Sequence, residues 1–276
     1  MTPDQQAAIV EACEAHETAH RRDANYRAAI PIGTDYFVKF GSPRTLGPEI
    51  ATQNYISAYA EVNPGTPDGM PVPRIPKVLF HFQHEHIMYM VMEYIKLADS
   101  PPDVAQRIAV ALRWLSEVPL PPNHVIGPLG GGRIRHRFFK DGMAPLEFSS
   151  VGALERYIEK GRKGLSKFSQ RQVQSVSFSG ERSMFMQSDM HPSNFGVDER
   201  GRTVLVDFAE VCALPESFAT LAMHASDPSL APIAELLGLS SNANTASMAV
   251  ISGALCMAGN PKLGLNNDGY PKTSKP

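Results

Sequence analysis

The chain has 276 residues, 43% hydrophobic and 20% charged, with a formal net charge of −2 at pH 7. That balance describes an ordinary globular protein, long enough for one large domain or two lobes. It excludes a strong field for nucleic acid or an anionic membrane, and three scattered cysteines, Cys13, Cys212 and Cys256, exclude a disulfide framework.

The first residues are acidic where a signal peptide would be basic and then apolar. No uncharged apolar run approaches the roughly 20 residues of a membrane span. A cytoplasmic protein with no membrane and no nucleic-acid partner is expected. Residues 3–28 predict a polar surface helix carrying Ile9 and Val10. The first clear strand is Asp35 to Phe40, aromatic and β-branched and closed by Gly41. A helix is expected to start near Pro48, with Glu49 in its first turn and Tyr55, Ile56, Tyr59 and Val62 as its stripe. A Pro/Gly-rich loop from Asn63 to Pro76 follows.

Val78–Phe82 and Ile87–Tyr94 form a predicted hairpin whose turn lacks glycine. His81, His84 and His86 fall in and beside that turn and read as solvated residues, without a Cys or a second acidic cluster at metal spacing. Beyond Tyr94 the pattern turns helical. Val104, Ile108, Leu112 and Leu115 mark one helix and residues 151–168 another. Short helices are expected at Glu216–Ala225, Leu230–Leu237 and Thr245–Cys256, then a loosely held tail from Gly259. Gly127 to Gly132 lacks the strand and the Gly-Lys-Ser/Thr ending of a phosphate loop and reads as a connection. Arg133, Arg135 and Arg137 alternate after it, as a solvated edge or, alternatively, as a surface for an anionic substrate. Strand-rich residues 1–95 thus precede helical residues 96–276, with a hinge near Met92-Glu93-Tyr94-Ile95.

The chemistry concentrates between Gln187 and Asp207. Asp189 is followed five residues on by Asn194, and thirteen further by Asp207, inside the apolar runs Met184–Met186 and Thr203–Val206. A phosphoryl-transfer site needs a carboxylate to accept a hydroxyl proton and hard oxygens for magnesium. This spacing supplies both: Asp189 as base, Asn194 and Asp207 as metal ligands. The structural alternatives are an Asx-turn at Asp189 and ordinary turn hydrogen bonding at the other two.

The run Asp-Met-His-Pro-Ser-Asn-Phe-Gly-Val-Asp, then Val-Asp-Phe, resembles the catalytic core of the aminoglycoside phosphotransferase and choline-kinase-like family, whose usual form is His-Gly-Asp-Leu-His-Pro-Gly-Asn. The resemblance implies an α+β, two-lobed protein-kinase-like fold, ATP and Mg²⁺ as cofactors, and a small-molecule hydroxyl acceptor. By the same resemblance Lys39 touches the nucleotide phosphates, the alternative being a solvated charge at a strand end, and Glu93, Tyr94 and Ile95 form the hinge that holds adenine. Glu49, ten residues on, is either the acidic partner of Lys39 or a first-turn acid that favours the helix dipole. The departures are Gln187 and Ser188 in place of His-Gly, Ala209 after Asp207-Phe208, and no Gly-rich loop before Lys39, where only Gly33 stands. An abbreviated nucleotide lobe is therefore expected, and a pseudokinase scaffold is the competing reading. A working enzyme requires Gln187 to be buried and bonded to backbone near Asp207, whereas a pseudokinase would leave it unanchored.

Overall fold

Residues 1–65, 69–223 and 230–272 are described in the computed structural model. Four antiparallel strands, β1 (Ala29–Ile32), β2 (Tyr36–Gly41), β3 (Val78–His84) and β4 (Ile87–Glu93), pair in the order β1-β2-β4-β3. Side chains alternate across such a sheet, so Val38 and Phe40 of β2 join Tyr89 and Val91 of β4 on one face. Helix α1 (Pro3–His20) covers that face with Ile9, Val10 and Cys13. Met90 and Met92 lie on the other, beside Leu46 and Ile50 of α2 (Pro43–Val62) and the partly buried Phe37. Lys39 follows Phe37 by two and shares its face. The β3–β4 turn does without glycine because Glu85 takes the left-handed conformation, φ 50°.

Strand β1 was not legible in the sequence. Ala-Ile-Pro-Ile is short and carries a proline, which a sheet tolerates at its edge; β1 is the edge strand. It turns into β2 at Gly33, φ +62°. The sheet is small, as expected, with one glycine in that turn. The N-terminal helix ends at His20 rather than near residue 28. Helix α2 begins at Pro43, not near Pro48: Ser42 caps it through Arg44 N–H, and Pro48 is interior to the helix.

The helical region contains α3 (Val104–Glu117), α4 (Val151–Lys163), α5 (Lys167–Gln172), α6 (Glu216–Met223), α7 (Ala231–Leu237) and α8 (Ala243–Met257). The helix expected over 151–168 is two: Ser166 caps α5 by accepting from Ser169 N–H, and Phe168 is exposed. The end of the helix expected at 216–225 lies outside the described residues. The tail is not loose up to Lys272. Leu265 is buried, Asp268 carbonyl accepts from Arg156, and Asn267 carbonyl accepts from Ser149 N–H. Among the described residues no helix is long and apolar enough to cross a membrane.

One core gathers Phe138, Phe139, Leu154, Tyr157, Phe218 and Ile251. A second joins Ile56 of α2 to Trp114, Leu115, Phe185 and Phe208, so α2 touches both the sheet and the helical region. Two small antiparallel pairs sit on this second core: β5 (Ser183–Gln187) with β8 (Val211–Pro215), and β6 (Phe195–Val197) with β7 (Thr203–Leu205). Their ends bring segments 188–194 and 206–210 side by side.

Candidate active site

The pairings Gln187↔Val211 and Phe195↔Leu205 bracket the site. Between them, Ser188 N–H donates to Glu210 carbonyl (3.2 Å) and Val206 N–H to Asn194 carbonyl (3.0 Å), which ties the two segments together. Asp189 is half-buried, and its Oδ1 accepts from His191 N–H (3.1 Å). His191 caps the Pro192–Asn194 turn through Ser193 N–H, so it holds the loop. Asn194 is buried and donates from its amide to Asp189 carbonyl (3.0 Å). Gln187, 1% exposed, donates to Asp207 carbonyl (2.7 Å) and accepts from Asp189 N–H (3.1 Å). A side chain that departs from the family pattern therefore anchors both halves of the site.

Asp207 sits at φ 58°, ψ 86°, and its Oδ1 accepts from Ala209 N–H (3.2 Å). A non-glycine residue there stores strain that its surroundings must hold. The Asp207 carboxylate also receives Lys39 Nζ at 3.0 Å, while Lys39 reaches Glu49 Oε1 at 2.5 Å. The Lys39–Glu49 partnership is thus present although α2 starts earlier than expected. Burial opposes the Lys39 charge, but Glu49 and Asp207 outweigh it and raise its pKa. Burial raises Glu49. Burial also pushes Asp207 upward, but Lys39 prevails and its pKa is lowered.

Neither Asn194 Oδ1 nor the second carboxylate oxygen of Asp207 accepts a hydrogen bond among the described residues. Free hard oxygens of this kind are the ligands a magnesium ion takes. In the segment expected to form the hinge, Glu93 N–H donates to Lys77 carbonyl (3.0 Å) and Tyr94 N–H to Asp35 carbonyl (2.8 Å). The Glu93 carboxylate pairs with Arg74 (3.1 Å). Ile95 N–H has no partner among the described residues. Phe37 and Tyr94 stack, with ring centroids 6.4 Å apart and planes 19° from parallel.

Residues 150–225, which include α4, α6 and the segments 188–194 and 206–210, match the ABC1 atypical kinase-like domain. A solved structure that bears the name of a fructosamine-3-kinase from Haemophilus somnus superposes with TM-score 0.52 at 10% identity. The match covers 87% of this chain and 79% of that one. The chain has a protein-kinase-like fold. The aminoglycoside phosphotransferase APH(4)-Ia matches with TM-score 0.48 at 14% identity, over 90% of this chain and 91% of that chain. Spectinomycin phosphotransferase APH(9)-Ia, solved with ADP and spectinomycin, matches with TM-score 0.45 at 11% identity, over 85% and 80%. No curated protein matches the chain.

Two groups at this kinase-like site escaped the sequence reading. Burial pushes Glu210 up to about 7, with Asp189 contributing in the same direction and Arg135 opposing. Arg135, read as part of a solvated edge or of a surface for an anionic substrate, acts electrostatically on Glu49, Asp207 and Glu210. Tertiary proximity created both roles, and only the sequence neighbourhood of Glu210 to Asp207 hinted at one of them.

Proposed function

We propose that the protein is an ATP- and magnesium-dependent phosphotransferase that moves a phosphoryl group to a hydroxyl of a small molecule. Residues 1–95 serve as the nucleotide lobe and 96–276 as the catalytic lobe. The observation that carries this reading is Gln187, whose amide bonds both Asp207 carbonyl and Asp189 N–H. Phosphoryl transfer is almost entirely positioning and charge stabilisation, and an anchored loop is what positioning requires.

In this reading Asp189 accepts the acceptor's hydroxyl proton. Lys39, kept cationic by Glu49 and Asp207, neutralises nucleotide phosphate charge. Asn194 and Asp207 would hold magnesium, which would supply positive charge to offset the negative charge developing on the phosphates. Ile95 N–H is the free hinge donor for the base, and the Phe37–Tyr94 pair offers it an aromatic surface.

A pseudokinase is the second reading. It is favoured by a β1–β2 turn with one glycine, Gly33, and by hinge N–H groups of Glu93 and Tyr94 that are already occupied. Thermal stability and ATP turnover separate the two. Mg·ATP should raise the melting temperature more than ATP or Mg²⁺ alone. Asp189→Asn should lower turnover by about two to four orders of magnitude with nucleotide binding retained, whereas Asp207→Asn should weaken Mg·ATP binding itself. Binding without turnover in the wild type would select the pseudokinase, and no response to Mg·ATP would exclude both.

A further inference from the structure

A cleft of about 810 Å³ opens beside the site, between the first turn of α2 and the loop that follows α3. It borders the site through Glu49, the partner of Lys39, and Ala209, which follows Asp207 by two; Asp189, Asn194 and residues 93–95 do not line it. Four cations line it: Arg44, Arg133, Arg135 and Lys262. None of them makes a side-chain hydrogen bond or ion pair among the described residues. Elsewhere in the chain Arg74, Arg107, Arg162, Arg182 and Arg202 are each matched with a carboxylate. The two carboxylates of the cleft are Glu49, which Lys39 neutralises, and Glu147. The chain's net charge is −2, so this excess of positive charge is local.

The cleft is also pre-shaped. Ile134 and His136 point into the core, 2% and 0% exposed, which turns the alternating Arg133 and Arg135 the other way. Gly130 and Gly132, at φ +80° and +103°, press against α2. A Cβ at Gly130 would lie 3.0 Å from Ala51 Cβ, and one at Gly132 3.2 Å from Pro48 Cγ. Leu129 N–H donates to Thr52 Oγ1 (3.0 Å). The arginine-bearing loop is thereby fixed to the helix that carries Glu49. Arginines held on a firm frame suit phosphate or carboxylate groups, which accept several charge-assisted hydrogen bonds at once.

We infer that this cleft holds the anionic group, phosphate or carboxylate, of the acceptor alcohol. The inference rests on the phosphotransferase reading and narrows its substrate class: a negatively charged hydroxyl compound in place of a cationic amine or a neutral sugar. Arg44 and Arg133 anchor the charge at the outer end. Arg135 spans from the cleft toward Asp207 and Glu210, linking the anchored group to the catalytic segments.

The test is calorimetry on the full chain with Mg·ADP present, using glycerol 3-phosphate, inorganic phosphate, glycerol and choline as probes. Glycerol 3-phosphate should bind in preference to glycerol and choline. The double variant Arg44→Ala/Arg133→Ala should weaken it at least about tenfold, the scale of a lost charge-assisted contact, and Arg44→Lys/Arg133→Lys should restore part of that loss. Lys167→Ala/Arg171→Ala, which removes two exposed cations distant in sequence from the cleft, should leave binding unchanged. Equal weakening by that control would reduce the effect to net charge and overturn the inference. Binding of free phosphate with exclusion of glycerol 3-phosphate would assign the cleft to a free anion and overturn the acceptor role. A protein that answers to Mg·ATP but binds no anion overturns this inference alone. One that binds anions but not Mg·ATP overturns the phosphotransferase reading and, with it, the acceptor role of the cleft.

Discussion

Gln187 and Asp207 are joined by a 2.7 Å hydrogen bond from the Gln187 amide to the Asp207 carbonyl, while the same side chain accepts from Asp189 N–H. One buried amide thus fixes the distance between the two carboxylates on which the proposed chemistry depends. Gln187→Ala would leave the part-buried Asp207 carbonyl and Asp189 N–H without this partner, and each such group costs up to about 1–3 kcal/mol. The expected result is a lower melting temperature together with about a hundredfold loss of ATP turnover, the cost of misplacement by about 1 Å. Gln187→His, which retains a donor and an acceptor, should keep or raise turnover. Side-by-side melting and turnover assays decide; full activity in the alanine variant would show that the anchor is dispensable.

The Lys39 cluster makes a different prediction. Glu49 has a side chain 4% exposed and Asp207 stands on the other side of Lys39. Lys39→Met removes the cation and leaves two carboxylates facing each other with one deeply buried. Breaking a buried pair in this way costs about 3–5 kcal/mol. Glu49→Gln in the Lys39→Met background should recover part of that loss. A double-mutant cycle by urea denaturation measures it. Additive effects would mean that Lys39 and Glu49 do not depend on each other.

That Asp189, Asn194 and Asp207 share one place in the fold was legible because they lie close along the chain, on segments that the short β6–β7 pair joins. Lys39 with Glu49 was legible for a similar reason, even though Ser42 rather than Pro48 sets the start of α2. What the sequence hid depends on tertiary context. Ala29–Ile32 becomes a strand only because Tyr36–Gly41 offers it an edge. The α4 helix stops near Gly164 because Ser166 caps a new helix. The segment after Gly259 is ordered by Leu265, which is buried, and by Arg156, which holds Asp268. Glu210 and Arg135 are far apart in sequence, and only folding gives them a shared field.

Ser188 stands where the family pattern has glycine, and its hydroxyl is buried with no hydrogen-bond partner. Its backbone N–H is already used by Glu210 carbonyl. Burying an unpaired hydroxyl costs about 1–3 kcal/mol, so Ser188→Ala should raise stability by about 1 kcal/mol. Chemical denaturation of the ligand-free protein measures this. A loss of stability would show that the hydroxyl has a partner in solution.

His136 gives the protein a pH-dependent stability that Glu210 opposes. The His136 ring is completely buried: Nε2 donates to Phe218 carbonyl (3.1 Å) and Nδ1 accepts from Phe138 N–H (3.0 Å). This arrangement requires the neutral tautomer, and burial lowers the pKa from 6.5 to about 4. The neutral form is favoured in the folded state, so the contribution is complete above the unfolded value of 6.5. As pH falls toward 4, the unfolded chain binds a proton that the folded chain refuses, and stability drops by about 1.4 kcal/mol per pH unit. Glu210 works in the other direction. Its folded pKa is raised from 4.5 to about 7, so between those values the folded state binds the extra proton and acidification stabilises it. The two slopes oppose each other between about pH 6.5 and 4.5. Wild-type stability should therefore change little from these two groups there. Glu210→Gln should expose the His136 slope and lose about 2 kcal/mol between about pH 6.5 and pH 5. Combining it with His136→Gln should abolish that slope. Urea titrations at both pH values test the pair, and a Glu210→Gln variant as insensitive to acid as the wild type would refute the opposition.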